Sequence, residues 1–186
     1  MKYKLAKILF VLLCFSHVYS CKKDSTVTSE EQLPPMTHEG KNTFGCKVNG
    51  KIWIPEASFT IGGSIAIDKS YNELTGGFWI EATKKNKEDD IFEYMKFYGV
   101  NLHEVDLYEM SVLNADITGF NDITNVHYSC GGFKHDTLNK GILNITYLNK
   151  EDNIIAGTFS MKLISSDYCA ETTYLDITDG RFDLRY

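Results

Sequence analysis

The amino-acid sequence predicts an all-β domain, an antiparallel two-sheet β-sandwich, with a small β-barrel as the alternative. Residues that favour strands are plentiful, since Phe and Tyr each occur 11 times, whereas Pro occurs only 3 times. Apolar and polar side chains alternate along many short segments, which is the pattern of half-buried strands. No segment has the length and periodicity of a long helix, so the crossover helices of a parallel sheet are not expected.

A β-hairpin begins the domain. Residues 43–48 and 51–54 alternate as strands, and Asn49-Gly50 between them supplies the two positive φ angles that a type I′ turn needs. Pro55 ends the second strand or places it at a sheet edge, because proline has no N–H to donate.

Three further strands follow along the chain. Residues 58–67 alternate around a glycine pair, and residues 68–72 are predicted as a turn. Residues 76–83 place their apolar side chains on one face and Trp79 on the other. Residues 91–100 are apolar on both faces, which suits a central strand.

The part of the chain that comes next has weak periodicity. Residues 101–114 are predicted as a short helix or an irregular edge, residues 117–123 as loops, and residues 126–130 as a short strand. Periodicity alone does not decide between the two alternatives for the first of these segments.

The last third has the clearest pattern. Residues 142–148 and 155–163 alternate on either side of a polar turn, which predicts two antiparallel strands. Residues 174–178 and 181–186 are predicted as a second tight hairpin around an Asp179-Gly180 turn.

The N-terminal segment has the pattern of a secretory signal that precedes a lipidated cysteine. Basic residues precede an apolar run at residues 8–15, and Ser20 occupies the small-residue position before Cys21. This run is too short for a membrane-spanning helix, which needs about 20 residues. We therefore predict residues 1–20 to be a lipoprotein signal peptide and Cys21 to carry the lipid, including palmitate.

Residues 21–41 are predicted to be a lipidated flexible tether, and residues 42–186 a single β-rich domain. The tether is polar and contains Pro34-Pro35. As a flexible coil of about 20 residues, it would reach roughly 25 Å. Because two or more acyl chains hold a protein stably on a membrane, the predicted location is the cell envelope, at the outer membrane, on its periplasmic or its surface side.

The acidic charge of the chain argues against nucleic acid as a partner. The full sequence has 19 basic and 25 acidic residues and a net charge of −6. Removal of residues 1–20 takes three lysines and no acidic residue, which leaves 16 basic against 25 acidic residues and a net charge of −9. Nucleic-acid phosphates attract basic surfaces, so no nucleic acid is expected to bind.

The five cysteines divide into three groups. Cys14 is removed with the signal, and Cys21 is used by the lipid. An exported protein meets an oxidising environment, so one disulfide is expected among the remaining three cysteines. Cys46 lies in an apolar strand pattern and is interpreted as a buried small hydrophobic residue. Cys130 and Cys169 lie beside loop-like segments and are the predicted disulfide, although sequence alone leaves the pairing open.

The titratable residues form no recognisable catalytic or metal motif. His127 and Cys130, with His135-Asp136 nearby, are the only clustered metal ligands. In an extended strand positions 127 and 130 face opposite sides, so a zinc site would need them on a turn. The acidic residues at 88–90 and 151–152 fall in charged loops. We therefore predict no metal, no cofactor and no catalytic residue.

Three groups of residues stand out as a set: Leu33-Pro34-Pro35 with 42–53 (NTFGCKVNGKIW), 155–159 (IAGTF) and 177–183 (ITDGRFD). Together they resemble a family of small Bacteroidetes lipoproteins whose domain has no assigned function. The match brackets the mature chain, while residues 84–140 carry no motif of the family. The resemblance implies a lipidated, β-rich envelope domain, and it implies no activity and no functional residues.

Aromatic side chains on neighbouring predicted strands could form an exposed patch. Trp79 is predicted on the strand face opposite the core, and Trp53 and either Tyr94 or Tyr98 lie on neighbouring strands. Such rings stack on the apolar faces of sugars or on partner proteins. The anchor, the tether, the predicted sandwich and the lack of a catalytic set together predict a non-catalytic envelope module that binds a glycan, a peptide or a partner protein, with Trp79 and Trp53 as possible ligand-facing residues. The alternative is a hydrolase of envelope or extracellular polymers, whose carboxylates only the fold would bring together.

Overall fold

The computed structural model of the protein describes residues 32–56, 66–85, 92–109, 113–118, 132–165 and 172–186. Within these ranges the chain forms eleven β-strands and no helix, and every strand pairing is antiparallel. The strands are β1 (Thr43–Val48), β2 (Lys51–Trp53), β3 (Ile67–Asn72), β4 (Gly77–Lys85), β5 (Phe92–Gly99), β6 (Leu107–Glu109), β7 (Leu113–Thr118), β8 (Phe133–His135), β9 (Ile142–Asn149), β10 (Ile154–Ser165) and β11 (Tyr174–Arg185). The all-β fold predicted from the sequence is confirmed.

The strands form two packed layers, as in a β-sandwich. In the larger layer β1, β11 and β10 are central, β2 lies beside β1, and β8, β9 and β6 lie beyond β10. The smaller layer consists of β3, β4 and β5 in that order. Strand β7 pairs with β5 on one side and with β8 on the other, so it joins the two layers. Within the described ranges β2 and β3, at the two ends of this order, do not pair with each other, so these strands do not close into a barrel.

Five phenylalanine rings fill the space between the layers. Phe44, Phe159 and Phe182 come from the larger layer, and Phe78 and Phe97 come from the smaller one. The ring centroids of Phe97 and Phe159 are 5.0 Å apart, and those of Phe78 and Phe182 are 5.5 Å apart. Because these strands are not hydrogen-bonded neighbours, the ring contacts show that the layers pack face to face. Such aromatic pairs contribute about 0.5–1.5 kcal/mol each beyond the burial of their area.

The first predicted hairpin is confirmed. Asn49 has a φ of 48° and Gly50 a φ of 81°, as a type I′ turn requires. The N–H of Asn49 donates to the carbonyl of Asp176, and the N–H of Asp176 donates to Oδ1 of Asn49, both at 2.9 Å. The turn is therefore held against β11 as well as by its own geometry.

The second predicted hairpin is wrong, because β11 runs without reversal from Tyr174 to Arg185. This strand lies between β1 and β10 and is paired with both. Asp179 has a φ of 53°, but both pairings only shift register there, which is the mark of a β-bulge. The two neighbouring strands keep the chain extended, so Asp179-Gly180 makes a bulge where an isolated hairpin would have a turn.

The predicted turn at residues 68–72 is also wrong. Residues Ile67–Asn72 form β3, and the connection to β4 lies at residues 73–76. The exposed polar side chains of β3 alternate with Tyr71, which is buried. They belong to the outer face of an edge strand, where polar residues discourage pairing with other chains.

The remaining strand predictions divide into those that the structure confirms and those that it does not describe. The strands predicted at 76–83 and 91–100 are β4 and β5, and those predicted at 142–148 and 155–163 are β9 and β10. The described part of residues 101–114 contains β6, at the edge beside β9, the first two residues of β7, and no helix; β6 matches the irregular-edge alternative. The short strand predicted at residues 126–130 and most of that predicted at 58–67 lie outside the described ranges.

Residues 32–41 form a strap over the outer face of β1 and β11. Asp183 of β11 holds it, because its carboxylate accepts hydrogen bonds from the Thr37 hydroxyl and from the backbone N–H groups of residues 39–41, the latter at 2.7–3.4 Å. Asp183 is only 1% exposed. A carboxylate buried in this way is stabilised by its donors, so the strap and the strand fix each other.

The strap also packs closely on β1. A Cβ atom added to Gly45 would lie 2.8 Å from Cδ of Pro34, so glycine is what allows the strap to approach. Arg181 donates from Nη1 to the carbonyl of Pro34 at 3.4 Å. The compact unit therefore begins at Gln32 rather than at residue 42, because residues predicted as tether find fixed partners on the sheet. Within the described ranges no helix is long and apolar enough to cross a membrane.

Candidate ligand-binding surface

The three-stranded layer has one face turned away from the core. Along β4 the side chains of Phe78 and Ile80 are buried, while Trp79 between them points outward, as predicted. The outward residues at the centre of this face are here named the Trp79–Tyr98 surface, and they are Ser70, Asn72, Gly77, Trp79, Lys96 and Tyr98. The surface therefore combines two aromatic rings with polar side chains on a rigid sheet.

Trp79 is the centre of this surface. It lies opposite Tyr98 in the pairing of β4 with β5, and opposite Ser70 in the pairing of β3 with β4. Residues directly opposite each other have Cβ atoms about 4.5–5.5 Å apart, so the two rings are neighbours. Trp79 is 39% exposed and Tyr98 is 49% exposed. Two adjacent rings left in solvent indicate a contact surface, since aromatic side chains otherwise gain free energy by burial.

A shallow depression of about 500 Å³ lies at the two rings. Gly77, two positions before Trp79 on the same strand face, has no side chain to fill the space beside the indole ring. Ser70, Asn72 and Lys96 provide polar groups in the lining. The volume is within the range of small-molecule sites, about 300–1,000 Å³.

A row of charged residues borders the aromatic rings. Nζ of Lys96 lies 2.8 Å from Oε2 of Glu81, and Asp68 is opposite Glu81 in the strand pairing. Exposed ion pairs contribute only about 0–1 kcal/mol, so this row adds little to the stability of the sheet. Two carboxylates and one ammonium group make the border slightly negative.

Trp53 is not part of this surface, and its assignment as a ligand-facing residue is wrong. It is 1% exposed, and its Nε1 donates to Oε2 of Glu93 at 2.7 Å in the core. The two-residue turn fixes a register that pairs Trp53 with Cys46, which is buried as well, so both side chains face inward. Of the two tyrosines considered with it, Tyr98 lies at the surface and Tyr94 lies four residues away on the same strand face.

A second depression, of about 550 Å³, lies between residues 103–105 and the turn after β9. Its charged lining residues are His103, Glu104, Lys150 and Glu151. The ring of His38 in the strap stacks on Tyr147 in its wall, with centroids 4.9 Å apart and planes 6° apart. The depression contains two carboxylates, which the hydrolase alternative would require, but both belong to solvent-exposed residues.

The predicted lipid and disulfide positions lie outside the described ranges, since Cys21, Cys130 and Cys169 are not among the described residues. Cys46 is a free and buried thiol, as expected for a small core residue. Burial raises the pKa of this thiol, and its Sγ lies 3.8 Å from Sδ of Met95. Cys46 is therefore a packing residue and not a reactive one.

The described half of the sequence-predicted His/Cys cluster does not form a metal site. Asp136 closes a turn, where its carboxylate accepts hydrogen bonds from the Asn139 side-chain amide and from the N–H of Leu138, which hold the pKa of Asp136 below its usual value. Burial lowers the pKa of His135. Within the described part of the chain no three His, Cys, Asp or Glu side chains are grouped to hold a metal ion. His127 lies outside it.

Ser70, Asn72 and Lys96 are the surface residues that the sequence interpretation missed. With residues 68–72 assigned to a turn, Ser70 and Asn72 are not expected on the strand face of Trp79. Their alternation with Tyr71, however, indicates a strand. Lys96 lies in the segment 91–100, which is predicted to be apolar on both faces. Its position two residues from Tyr98 places both side chains on one face.

No protein-family model matches the chain, and no curated protein and no solved structure is significantly similar to it. The function is therefore inferred from the geometry of the surface.

Proposed function

We propose that the protein is a non-catalytic binding module of the cell envelope and that its ligand contacts the Trp79–Tyr98 surface. The observation that carries the proposal is the pair of exposed rings at directly opposite strand positions. The pairing of β4 with β5 fixes the spacing of the two Cβ atoms, so a ligand has to order only the side-chain torsions of the two rings on binding. Binding energy at such surfaces is concentrated in a few aromatic side chains.

The exposed ring area suits a weak affinity. A tryptophan presents at most about 250 Å², so an exposed fraction of 39% corresponds to roughly 100 Å². At about 25 cal/mol per Å², covering this area contributes roughly 2.5 kcal/mol. Tyr98 adds a similar amount, and the cost of association offsets part of the sum. A sum of about 5 kcal/mol corresponds to a dissociation constant of about 0.2 mM, so with the cost of association we expect dissociation constants between about 0.2 mM and a few mM.

We also propose that Cys21 carries the lipid that holds this module at the outer membrane. The support for this is the signal pattern of residues 1–20, which ends at a cysteine. A binding module at the membrane acts on ligands that reach the envelope, so its natural ligand is an envelope component or an extracellular molecule.

The two tryptophans make the binding proposal directly testable. Trp53 and Trp79 are the only tryptophans, so a ¹⁵N-labelled mature protein in detergent gives two indole N–H signals in its NMR spectrum. Trp53 is buried and serves as an internal control, and the Trp79→Phe variant identifies the signal of Trp79. Ligands of several classes are added in turn, and we expect a binding ligand to shift the Trp79 signal and to leave that of Trp53 unchanged.

Matched tyrosine variants test whether the Trp79–Tyr98 surface is the place where the ligand binds. Tyr98→Ala should weaken binding at least about tenfold, since a tenfold change corresponds to about 1.4 kcal/mol. Tyr174→Ala removes another exposed tyrosine, 48% exposed on β11, and should leave the affinity unchanged. A ligand that binds Tyr98→Ala and wild type equally well would contradict the proposal.

The alternative function, a hydrolase, would use the second depression, where Glu104 and Glu151 both line the cavity. The wild-type protein is incubated with envelope polysaccharide, and the release of reducing ends is measured. Release that disappears in both Glu104→Gln and Glu151→Gln would favour the enzyme over the binding module.

A further inference from the structure

We infer that the ligand of the Trp79–Tyr98 surface is a neutral carbohydrate chain, an inference that rests on the binding function proposed above. A pyranose ring has faces of C–H groups and an edge of hydroxyl groups. The C–H faces stack on aromatic rings, as apolar groups do on the faces of Trp and Tyr. Trp79 and Tyr98 lie side by side and half in solvent, which offers this kind of platform.

Polar side chains surround the rings at the positions where sugar hydroxyls would lie. Ser70 flanks Trp79 on β3, and Lys96 lies two residues from Tyr98 on β5. Asn72 is held in place because its Oδ1 accepts hydrogen bonds from the N–H groups of Leu74 and Thr75, at 3.0 and 3.2 Å. Hydroxyl and amide groups both donate and accept, which matches the hydroxyl groups of a sugar.

The charge at the border of the rings favours a neutral ligand. Lys96 forms an ion pair with Glu81 at 2.8 Å, and Asp68 adds a second carboxylate to the same row. The whole chain has a net charge of −6. An anionic polysaccharide or a lipid phosphate would approach carboxylates on an acidic protein and be repelled, whereas a neutral sugar would not.

The size of the surface argues against a protein partner. Stable protein interfaces bury about 800 Å² on each partner, and their centres are depleted in charged residues. Among the six residues of the Trp79–Tyr98 surface, the large apolar groups are the two rings, and the ion pair of Lys96 and Glu81 lies directly beside them. A depression of about 500 Å³ instead suits one or two units of a chain of sugars.

The test uses soluble probes of three classes with the mature lipoprotein in detergent. The neutral probes are hexasaccharides of β-1,4-linked glucose, α-1,4-linked glucose and β-1,4-linked mannose. The anionic probe is a hexamer of galacturonic acid, and the third probe is an unstructured apolar peptide. Calorimetry measures the affinity, and the Trp79 indole signal reports the place of binding.

We expect at least one neutral hexasaccharide to bind and to shift the Trp79 signal. Trp79→Ala should weaken this binding at least about tenfold, whereas Trp79→Phe, which keeps a ring, should weaken it less. The affinity should not depend on ionic strength, because no charge is neutralised on binding. Ser70→Ala should weaken binding about threefold to fivefold while circular dichroism shows an unchanged fold.

The outcomes separate the inference from the function on which it rests. If the peptide or the anionic hexamer shifts the Trp79 signal and no neutral sugar does, the carbohydrate inference is wrong and the binding function stands. If a neutral sugar binds equally well to Trp79→Ala and to the wild type, the inference and the choice of surface both fail. Absence of any shift with all three neutral sugars at millimolar concentration would likewise overturn the inference.

Discussion

Asp183→Asn should destabilise the domain strongly, although the change alters hardly any volume. Asp183 is 1% exposed, and its carboxylate accepts hydrogen bonds from the Thr37 hydroxyl and from the N–H groups of residues 39–41. Asparagine has nearly the same shape, so packing is retained. One acceptor oxygen, however, becomes an NH₂ group that faces other donors.

The expected loss is about 3 kcal/mol in the free energy of unfolding. A hydrogen bond to a charged group contributes about 1.5–3 kcal/mol, and the substitution weakens about two such bonds. Two such bonds give a range of about 3–6 kcal/mol, and the lower end applies here because the strap can move and become hydrated. In a domain of this size 1 kcal/mol corresponds to about 2–4 °C, so the melting temperature should fall by about 6–12 °C.

The pH dependence of this effect has a definite sign. Burial raises the pKa of Asp183, but the hydrogen bonds from Thr37 and residues 39–41 outweigh it and hold the pKa below the ordinary value of 3.8. The ionised form therefore stabilises the folded state fully above the unfolded-state pKa, and this stabilisation is lost as the pH falls through the lower folded-state pKa. The difference between wild type and Asp183→Asn should be complete at neutral pH and should shrink below about pH 3.8.

Urea unfolding followed by circular dichroism measures the free energy of unfolding at neutral pH and below about pH 3.8. Hydrogen exchange should show that the N–H groups of residues 39–41 lose protection in the variant. Asp176→Asn is the matched control, because Asp176 lies on the same strand and is exposed, and its side chain pairs with Lys162 at 3.3 Å while its hydrogen bonds with Asn49 use the backbone, which the substitution keeps. It should change stability by less than about 0.5 kcal/mol. The reasoning is refuted if both variants unfold like the wild type, or if both are equally destabilised.

Three further predictions concern the anchor, the core and the strap. Cys21→Ser should abolish labelling with a radioactive fatty acid, and a variant that is still cut normally and still found on membranes would contradict lipidation at this residue. Iodoacetamide should modify Cys46 in urea but not in the native protein, because the thiol is buried and burial raises its pKa; fast labelling of the native protein would disprove this. Gly45→Ala should lower stability by about 1–3 kcal/mol and reduce protection of the strap in hydrogen exchange, because the new Cβ would lie 2.8 Å from Pro34; unchanged exchange would count against it.

The parts of the fold that could be predicted from the sequence are those that depend on neighbouring residues. Asn49-Gly50 forms its turn because both residues tolerate the required φ, and the two strands that pair across it are adjacent in sequence. Asp179-Gly180 has the same local chemistry but lies in a strand with a partner on each side. Those partners come from distant parts of the chain, so no local pattern could show that the dipeptide is a bulge.

The candidate site, like the fold, could be predicted only where residues near in sequence determine the structure. Alternation along β4 correctly placed Trp79 opposite the core. Trp53 could have been excluded, because the type I′ turn pairs it with Cys46, which was itself interpreted as buried. The role of Asp183 could not be predicted in this way, since its donors are in the strap, more than 140 residues earlier in the chain.

The three segments that stand out as a set in the sequence meet in one region of the structure. Pro34 lies over Gly45 of β1, and Asp183 holds the strap. Gly157 of β10 lies under Phe182, whose Cζ would be 2.9 Å from an added Cβ. These contacts explain why glycine, proline and aspartate occur at those positions, and the explanation requires no ligand.

The Trp79–Tyr98 surface, by contrast, contains no residue from these segments. The surface lies on the smaller layer, so its side chains take no part in the contacts that hold the strap. We therefore expect proteins that share the three segments to share the strap and to differ in what they bind. A chain with the same segments but no aromatic residues at the positions of Trp79 and Tyr98 should show a protected strap in hydrogen exchange and no affinity for the ligand of this protein. If such a chain binds that ligand equally well, the binding surface lies elsewhere.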